Sequence, residues 1–219
     1  GIIPTEIPGL KAVNAVDEAG VHPLLLAIGS ERYTPYNPLR KPQEILTIAN
    51  HILGKGQLSL AKYLFITAHE DNPELDVQDE YQFFQHVFSR VDWSRDLHFY
   101  TKTTMDTLDY SSTGEINNGS KVVCAVAGEV KRTLLLDLSS ISFPKHIENP
   151  QLIMPGVLVI QATNDVKNIK ELLESIDLDG IALITLVDDV SFVVADISNW
   201  LWITFTRSNP AEDIFGLNE

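Results

Sequence analysis

The chain has 219 residues, 44% of them apolar and 21% charged. That is the balance of a globular protein long enough for one large buried core or two small ones. Its formal net charge of −14 argues against nucleic acid or an anionic membrane surface as partner. The single cysteine, Cys124, excludes an internal disulfide framework and fits a reducing cytoplasm. No apolar run reaches the roughly 18 residues a membrane span needs, and the N-terminus lacks the basic-then-apolar order of a signal peptide. A start at Gly1-Ile2-Ile3-Pro4, without Met, points to a piece of a longer protein with Gly1 left from expression.

Residues 2–9 carry two prolines and read as an extended linker or edge segment. Leu10 to Val16 alternates as a strand, Asp17-Glu18-Ala19-Gly20 turns, and Leu24 to Ile28 is a buried strand ending at Gly29-Ser30. Glu31 to Arg40, with Pro35 and Pro38, is a loop. From Pro42 to Leu53 the residues Ile45, Leu46, Ile48, Ala49 and Ile52 form a helical stripe, stopped by Gly54.

The next stretch organises the chain. Lys62 to Ala68 is a short β-branched and aromatic run that stops at His69-Glu70-Asp71, as a buried central strand ends at its carboxyl edge. Ligands of open α/β sheets gather at that edge. Asp79 is placed to cap a helix with Tyr81, Phe84, Val87 and Phe88 at helical spacing. Leu97 to Tyr100 is a further strand, 105–120 a long polar loop, and Lys121 to Val126 another strand. A Ser/Pro-rich stretch at 138–156 marks a boundary, followed by a strand at Val157 to Ile160 and a helix from Asp165 to Ser175. Leu183 to Asp189 then repeats the central strand and its acidic end. Asp196 precedes Trp200, Leu201 and Phe205 as Asp79 precedes Phe83, Phe84 and Phe88, and Arg207 and Asp213 match Arg90 and Asp96 at one common offset. The predicted fold is α/β: a three-layer, mostly parallel sheet with helices on both faces over residues 1–137, followed by a smaller duplicated α/β half-domain over 138–219.

No nucleophile elbow, phosphate loop or paired cysteine occurs. Gly54-Lys55-Gly56 reads as a helix stop with a solvated lysine. His69-Glu70-Asp71 carries metal-capable groups, but neighbours on a strand point to opposite faces, so capping or solvation is the expected role. Arg90 with Asp96, and Arg207 with Asp213, would pin the turn after each helix, a structural role because it recurs. The aromatic sets at 81–93 and 200–205 read as core or partner surface.

The order of these motifs resembles a known family. The acidic strand end and aromatic helix are followed by Ser89-Arg90-Val91-Asp92-Trp93-Ser94-Arg95-Asp96. Then come Met105-Asp106-Thr107-Leu108-Asp109-Tyr110-Ser111-Ser112 and Gly119-Ser120-Lys121-Val122. Together these resemble the C-terminal domain of the UbiD-type carboxy-lyases, the 3-polyprenyl-4-hydroxybenzoate decarboxylases and relatives, over about residues 8–132. The resemblance implies decarboxylation of an aromatic or α,β-unsaturated acid, within quinone biosynthesis, by a cytoplasmic homo-oligomer. It also implies prenylated FMN held with a divalent metal such as manganese. The family's acid–base groups and metal ligands precede this block, so no catalytic residue and no metal ligand is carried over here. Lys55 stands where some relatives place a lysine on the flavin phosphate, and the loop 105–112 stands where it would line the substrate side. The family's Ile-Asp-Ala-Thr is replaced by Cys124-Ala125-Val126-Ala127-Gly128-Glu129, and the second repeat extends beyond the shorter relatives. This piece would then close the pocket and carry oligomer contacts, inactive alone. The alternatives are a non-catalytic assembly or small-molecule-binding module, and a phosphate- or nucleotide-binding enzyme using Gly54-Lys55-Gly56.

Overall fold

The computed structural model describes residues 3–32, 39–109, 111, 116–145, 147–161 and 166–217. Pro35, Pro38, Tyr110, Ser112 and Asp165 of the sequence expectations lie outside these residues. The chain opens with a single helical turn, α1 (Ile3–Glu6), where an extended segment is predicted. Two strands follow, β1 (Leu10–Ala15) and β2 (Leu24–Gly29), then α2 (Glu44–Leu53) and β3 (Tyr63–Ala68). Next come α3 (Glu80–Arg90), the short α4 (Trp93–Asp96), β4 (Leu97–Thr104) and β5 (Asn118–Val126). The remainder is β6 (Gln151–Met154), β7 (Val157–Gln161), α5 (Val166–Glu174), β8 (Leu183–Val187), α6 (Val190–Val194), α7 (Ile197–Thr206) and α8 (Pro210–Asp213).

The strands form two sheets, one ordered β1-β2-β3-β5-β4 and one ordered β6-β7-β8. The first is mixed, which corrects the mostly parallel expectation. Only β2, β3 and β5 run parallel, and β1 and β4 flank them antiparallel. The physical reason lies in the connections. The short turn around Asp17–Ala19 reverses the chain between β1 and β2, and the segment between β4 and β5 closes a hairpin. Among the described residues neither holds the helical crossover that parallel pairing requires.

β3 is central and buried along its whole length. Leu64 and Ile66 face a cluster with Ile45, Ile48 and Ile52 of α2, and Tyr63 and Phe65 face Phe84 and Phe88 of α3 and Phe205 of α7. Each of these large side chains contributes roughly 1.5–3 kcal/mol by leaving water. Asp79 caps α3 by accepting the Gln82 amide at 2.9 Å. Helical spacing around that cap buries Phe83, Phe84, Val87 and Phe88, while Tyr81 of the predicted stripe is exposed. Trp200 and Phe205 complete the same cluster, which continues to Val157 and Val159 of β7. On the far face of the second sheet, Leu158 and Ile160 meet Ile169 and Leu173 of α5.

Phe65 lies on β3, which leads to the Asp79-capped α3 and the four-residue α4, whereas Leu183 lies on β8, which leads through the five-residue α6 to the Asp196-capped α7 and the four-residue α8. Asp96 accepts the amide of Asp92 at 2.9 Å, and Asp213 accepts the amide of Asn209 at 2.6 Å, so each carboxylate closes its own last turn. The expected Arg90–Asp96 pair is not made. Asp96 binds its neighbour Arg95 at 2.5 Å, and Arg90 reaches back to the His86 carbonyl instead. Among the described residues no helix is long and apolar enough to cross a membrane.

Candidate functional site

The carboxyl edge of the parallel strands is where the sequence directs attention. There β2 ends at Ser30-Glu31, β3 at His69-Glu70-Asp71 and β5 at Ala127-Gly128. Glu31 is buried and accepts the amides of Gln43 (2.9 Å), Glu44 (2.9 Å) and Ile45 (3.1 Å), which are the free donors at the start of α2. A helix N-terminus is an anion site, and here the chain fills it with its own carboxylate. Glu70 accepts the Glu31 amide at 2.7 Å and the Ser30 hydroxyl at 3.0 Å. Burial opposes its ionisation, but the amides of Glu31 and of its own backbone, with the Ser30 hydroxyl, outweigh burial and hold its pKa below the usual range. Asp71 pairs with Arg40 at 2.7 Å and accepts the Gly128 amide at 2.7 Å. Burial, the larger effect, raises its pKa against the Gly128 amide and Arg40. Gly128 takes φ 109°, and a Cβ there would stand 2.5 Å from the Arg40 carbonyl oxygen, so only glycine lets the strand end approach. Glu70 and Asp71 therefore tie the ends of β2 and β5 to the end of β3 instead of capping the helix that follows, which Asp79 caps.

The opposite, amino edge gathers cations. Lys62, 1% exposed, donates to Asp109 Oδ1 (2.9 Å), Ser111 Oγ (3.0 Å) and the Thr206 carbonyl (3.2 Å). Burial lowers its pKa, with Asp109 opposing by hydrogen bond and charge. Tyr63 bonds Ser208 at 2.5 Å, and burial raises its pKa. Ser120 bonds Asn209 and accepts the Ala211 amide at 2.9 Å. Lys121 is buried and donates to the Ser59 carbonyl; desolvation lowers its pKa. Asp106 pairs with His22. Lys55 is half-exposed and pairs with Glu6 at 2.9 Å.

Thus Lys55 and the described part of the loop 105–112 lie at the amino edge, away from His69-Glu70-Asp71. The sequence missed Lys62 as the hub of this edge, although a lysine opening an apolar strand, with Asp and Ser in a distant motif, was a usable signal. The polar run Asn118-Gly119-Ser120 is strand, not loop, because its backbone pairs with Thr103 and Thr104 of β4.

A mixed α/β sheet clasped at both edges defines an α/β domain of the open-sheet type. Residues 1–126 match the family described as 3-octaprenyl-4-hydroxybenzoate carboxy-lyase C-terminal domain, and the chain belongs to that family. The family that the ordered motifs resemble is thereby the family matched. A protein of Chlamydia caviae is 34% identical over 213 residues, covering 97% of this chain and 34% of the relative. A Chlamydia pneumoniae protein, named as one of the subunits of a 4-hydroxybenzoate decarboxylase, is 33% identical over 220 residues, covering 99% of this chain and 35% of the relative. The chain spans about a third of the length of these relatives. Among solved structures, vanillic acid decarboxylase of Sedimentibacter hydroxybenzoicus in closed form aligns with a TM-score of 0.46 at 17% identity, over 79% of this chain and 30% of that one. The UbiD-class enzyme HmfF of Pelotomaculum thermopropionicum, in complex with FMN, aligns with a TM-score of 0.44 at 13% identity, over 57% and 24%.

Proposed function

We propose that this chain is the C-terminal part of a prenylated-FMN-dependent decarboxylase acting on an aromatic or unsaturated carboxylic acid of the polyprenyl-hydroxybenzoate type, in quinone biosynthesis. Family membership over residues 1–126 carries the reading. The chain closes the pocket and contributes contacts to a cytoplasmic homo-oligomer. The groups that hold manganese and move protons are supplied by sequence upstream, and the chain alone is inactive.

Lys55 is the residue of this chain that would hold the cofactor, on its phosphate. Its ammonium is half-exposed and pairs with Glu6. A surface pair of that kind is worth about 1 kcal/mol or less, so the lysine is free to exchange carboxylate for phosphate as a compact point charge. When bound, the modified flavin supplies an electron sink for the departing carboxylate. The protein's part here is to hold and orient. Lys121 fixes the Ser59 carbonyl in the turn that follows Lys55, and Lys62 with Asp109 and Ser111 anchors the loop assigned to the substrate side. The second strand–helix–turn unit, in residues 138–219, is a duplicate that adds interface rather than chemistry. Its α7 supports this by sealing one face of the first sheet with Trp200 and Phe205.

The test compares the full-length protein with this chain for flavin binding and carbon dioxide release from hydroxybenzoates. Full-length activity, none from the chain, and weakened flavin retention in Lys55→Ala are expected. Full-length protein without flavin-dependent activity would favour a non-catalytic assembly or small-molecule-binding module instead.

A further inference from the structure

Among the described residues three non-glycines take left-handed backbone. Two are asparagines, which tolerate it; the third is Val21, in the turn between β1 and β2, at φ 68° directly after Gly20 at φ 77°. A β-branched residue there is a strained outlier. Strain of this kind persists only where the surroundings hold it, and it clusters at ligand clamps. Here the Val21 amide donates to the Val16 carbonyl at 3.0 Å and the His22 amide to the Gly20 carbonyl at 2.8 Å. The next side chain, His22, meets Asp106 of the distant loop 105–112.

The pair fixes the imidazole. Asp106 Oδ2 contacts His22 Nδ1, and Asp106 Oδ1 accepts the Leu108 amide at 3.0 Å. The Leu108 amide, with His22, outweighs desolvation and holds the Asp106 pKa below the usual carboxylate range. An ionised carboxylate only accepts, so Nδ1 carries the proton, and in the neutral ring the lone pair lies on Nε2. Among the described residues Nε2 has no hydrogen-bond partner, and the side chain is 35% exposed. A carboxylate that sets the tautomer and leaves the other ring nitrogen open is the arrangement that presents an oriented acceptor. Exposed apolar residues flank both partners in sequence, Val21 and Leu108. An acceptor in such surroundings suits a hydroxyl carried on an apolar ring.

We propose that His22 Nε2 accepts the hydrogen bond of a ring hydroxyl of the substrate, with Asp106 as its positioning residue, and so favours hydroxylated over unhydroxylated aromatic acids. This rests on the decarboxylase reading, in which the loop 105–112 lines the substrate side.

The experiment is calorimetric titration of the flavin-loaded full-length protein with 4-hydroxybenzoate and with 4-methylbenzoate, a near-isostere that has no hydroxyl, followed by turnover of both. The wild type should bind the hydroxy acid about fivefold more tightly, the worth of one hydrogen bond. His22→Phe should erase that preference, and His22→Gln, which keeps an acceptor, should retain part of it. Asp106→Asn frees the ring to carry its proton on Nε2 and should also erase it. Matched melting temperatures show that each variant folds. A merely structural role would weaken both acids alike. The proposal is overturned by equal binding of the two acids in the wild type, by a preference that survives His22→Phe or Asp106→Asn, by equal weakening of both acids, or by no binding of either. Turnover without the preference overturns the assignment of His22 and leaves the decarboxylase reading standing. A preference that depends on His22, without turnover of either acid, supports the assignment and counts against that reading.

Discussion

The two ends of the parallel strands β2, β3 and β5 use charge in opposite ways. At the carboxyl end buried acids send their oxygens mainly to backbone amides, Glu31 to the start of α2, Glu70 to Glu31 and Asp71 to Gly128, with Arg40 paired to Asp71 beside them. At the amino end the charged groups are lysines, and they reach across to other segments: Lys62 to Asp109 and the end of α7, Lys121 to Ser59. The first arrangement is local and closes the edge on which α/β sheets ordinarily take ligands. The second binds distant segments together and leaves Lys55 at the surface. The difference teaches that an acidic strand end can be a structural clasp, and that two of the shared motifs, the described part of 105–112 and Ser120-Lys121, lie at the other end.

Removing the amino-end hub is the largest expected break. Lys62→Ala leaves Asp109, 5% exposed, as an unpaired buried charge and should cost about 3–5 kcal/mol in denaturant unfolding. Lys62→Met with Asp109→Leu should recover most of that loss, because the cost lies in the orphaned partner.

The second effect depends on pH. His86 has a folded-state pKa near 4 against about 6.5 unfolded. Its neutral form is the one that fits, so the stability it confers is whole above about pH 6.5 and is lost as pH falls toward 4, at most roughly 3 kcal/mol. Melting curves of the wild type and His86→Gln should converge across that window as acid is added, starting from their separation at neutral pH.

A smaller loss is expected at the carboxyl end. Glu31→Gln keeps the shape but removes the charge on three amides and should cost about 2 kcal/mol, with amide hydrogen exchange accelerated at Gln43, Glu44 and Ile45. Smallest of all, Lys55→Ala breaks a half-exposed pair and should change stability by about 1 kcal/mol or less, while flavin retention falls. A loss of stability comparable to that at Lys62 would erase the contrast between a structural hub and a surface contact.

Much of this was legible in the sequence for a physical reason. β2, β3 and β5 are continuous apolar runs, and Asp79 announces α3 by its spacing from Phe83 and Phe84, so local pattern and tertiary role coincide. What escaped depended on partners far along the chain. β6 lies inside a stretch rich in serine and proline, α6 is five residues long, and Asn118-Gly119 looks like a loop until β4 pairs with it. Parallel and antiparallel edges carry the same apolar pattern, so the mixed sheet could not be read from it. At the site, Lys55 and the 105–112 motif were found through resemblance. The Lys62–Asp109–Thr206 node spans residues 144 apart in sequence, and no local window contains it.

The most direct measurement is carbon dioxide release from a hydroxybenzoate, with flavin supplied, by the full-length protein and by this chain side by side. The account predicts turnover by the first and none by the second, with turnover reduced in full-length Lys55→Ala. Turnover by the isolated chain, or none by a flavin-loaded full-length protein, would contradict it.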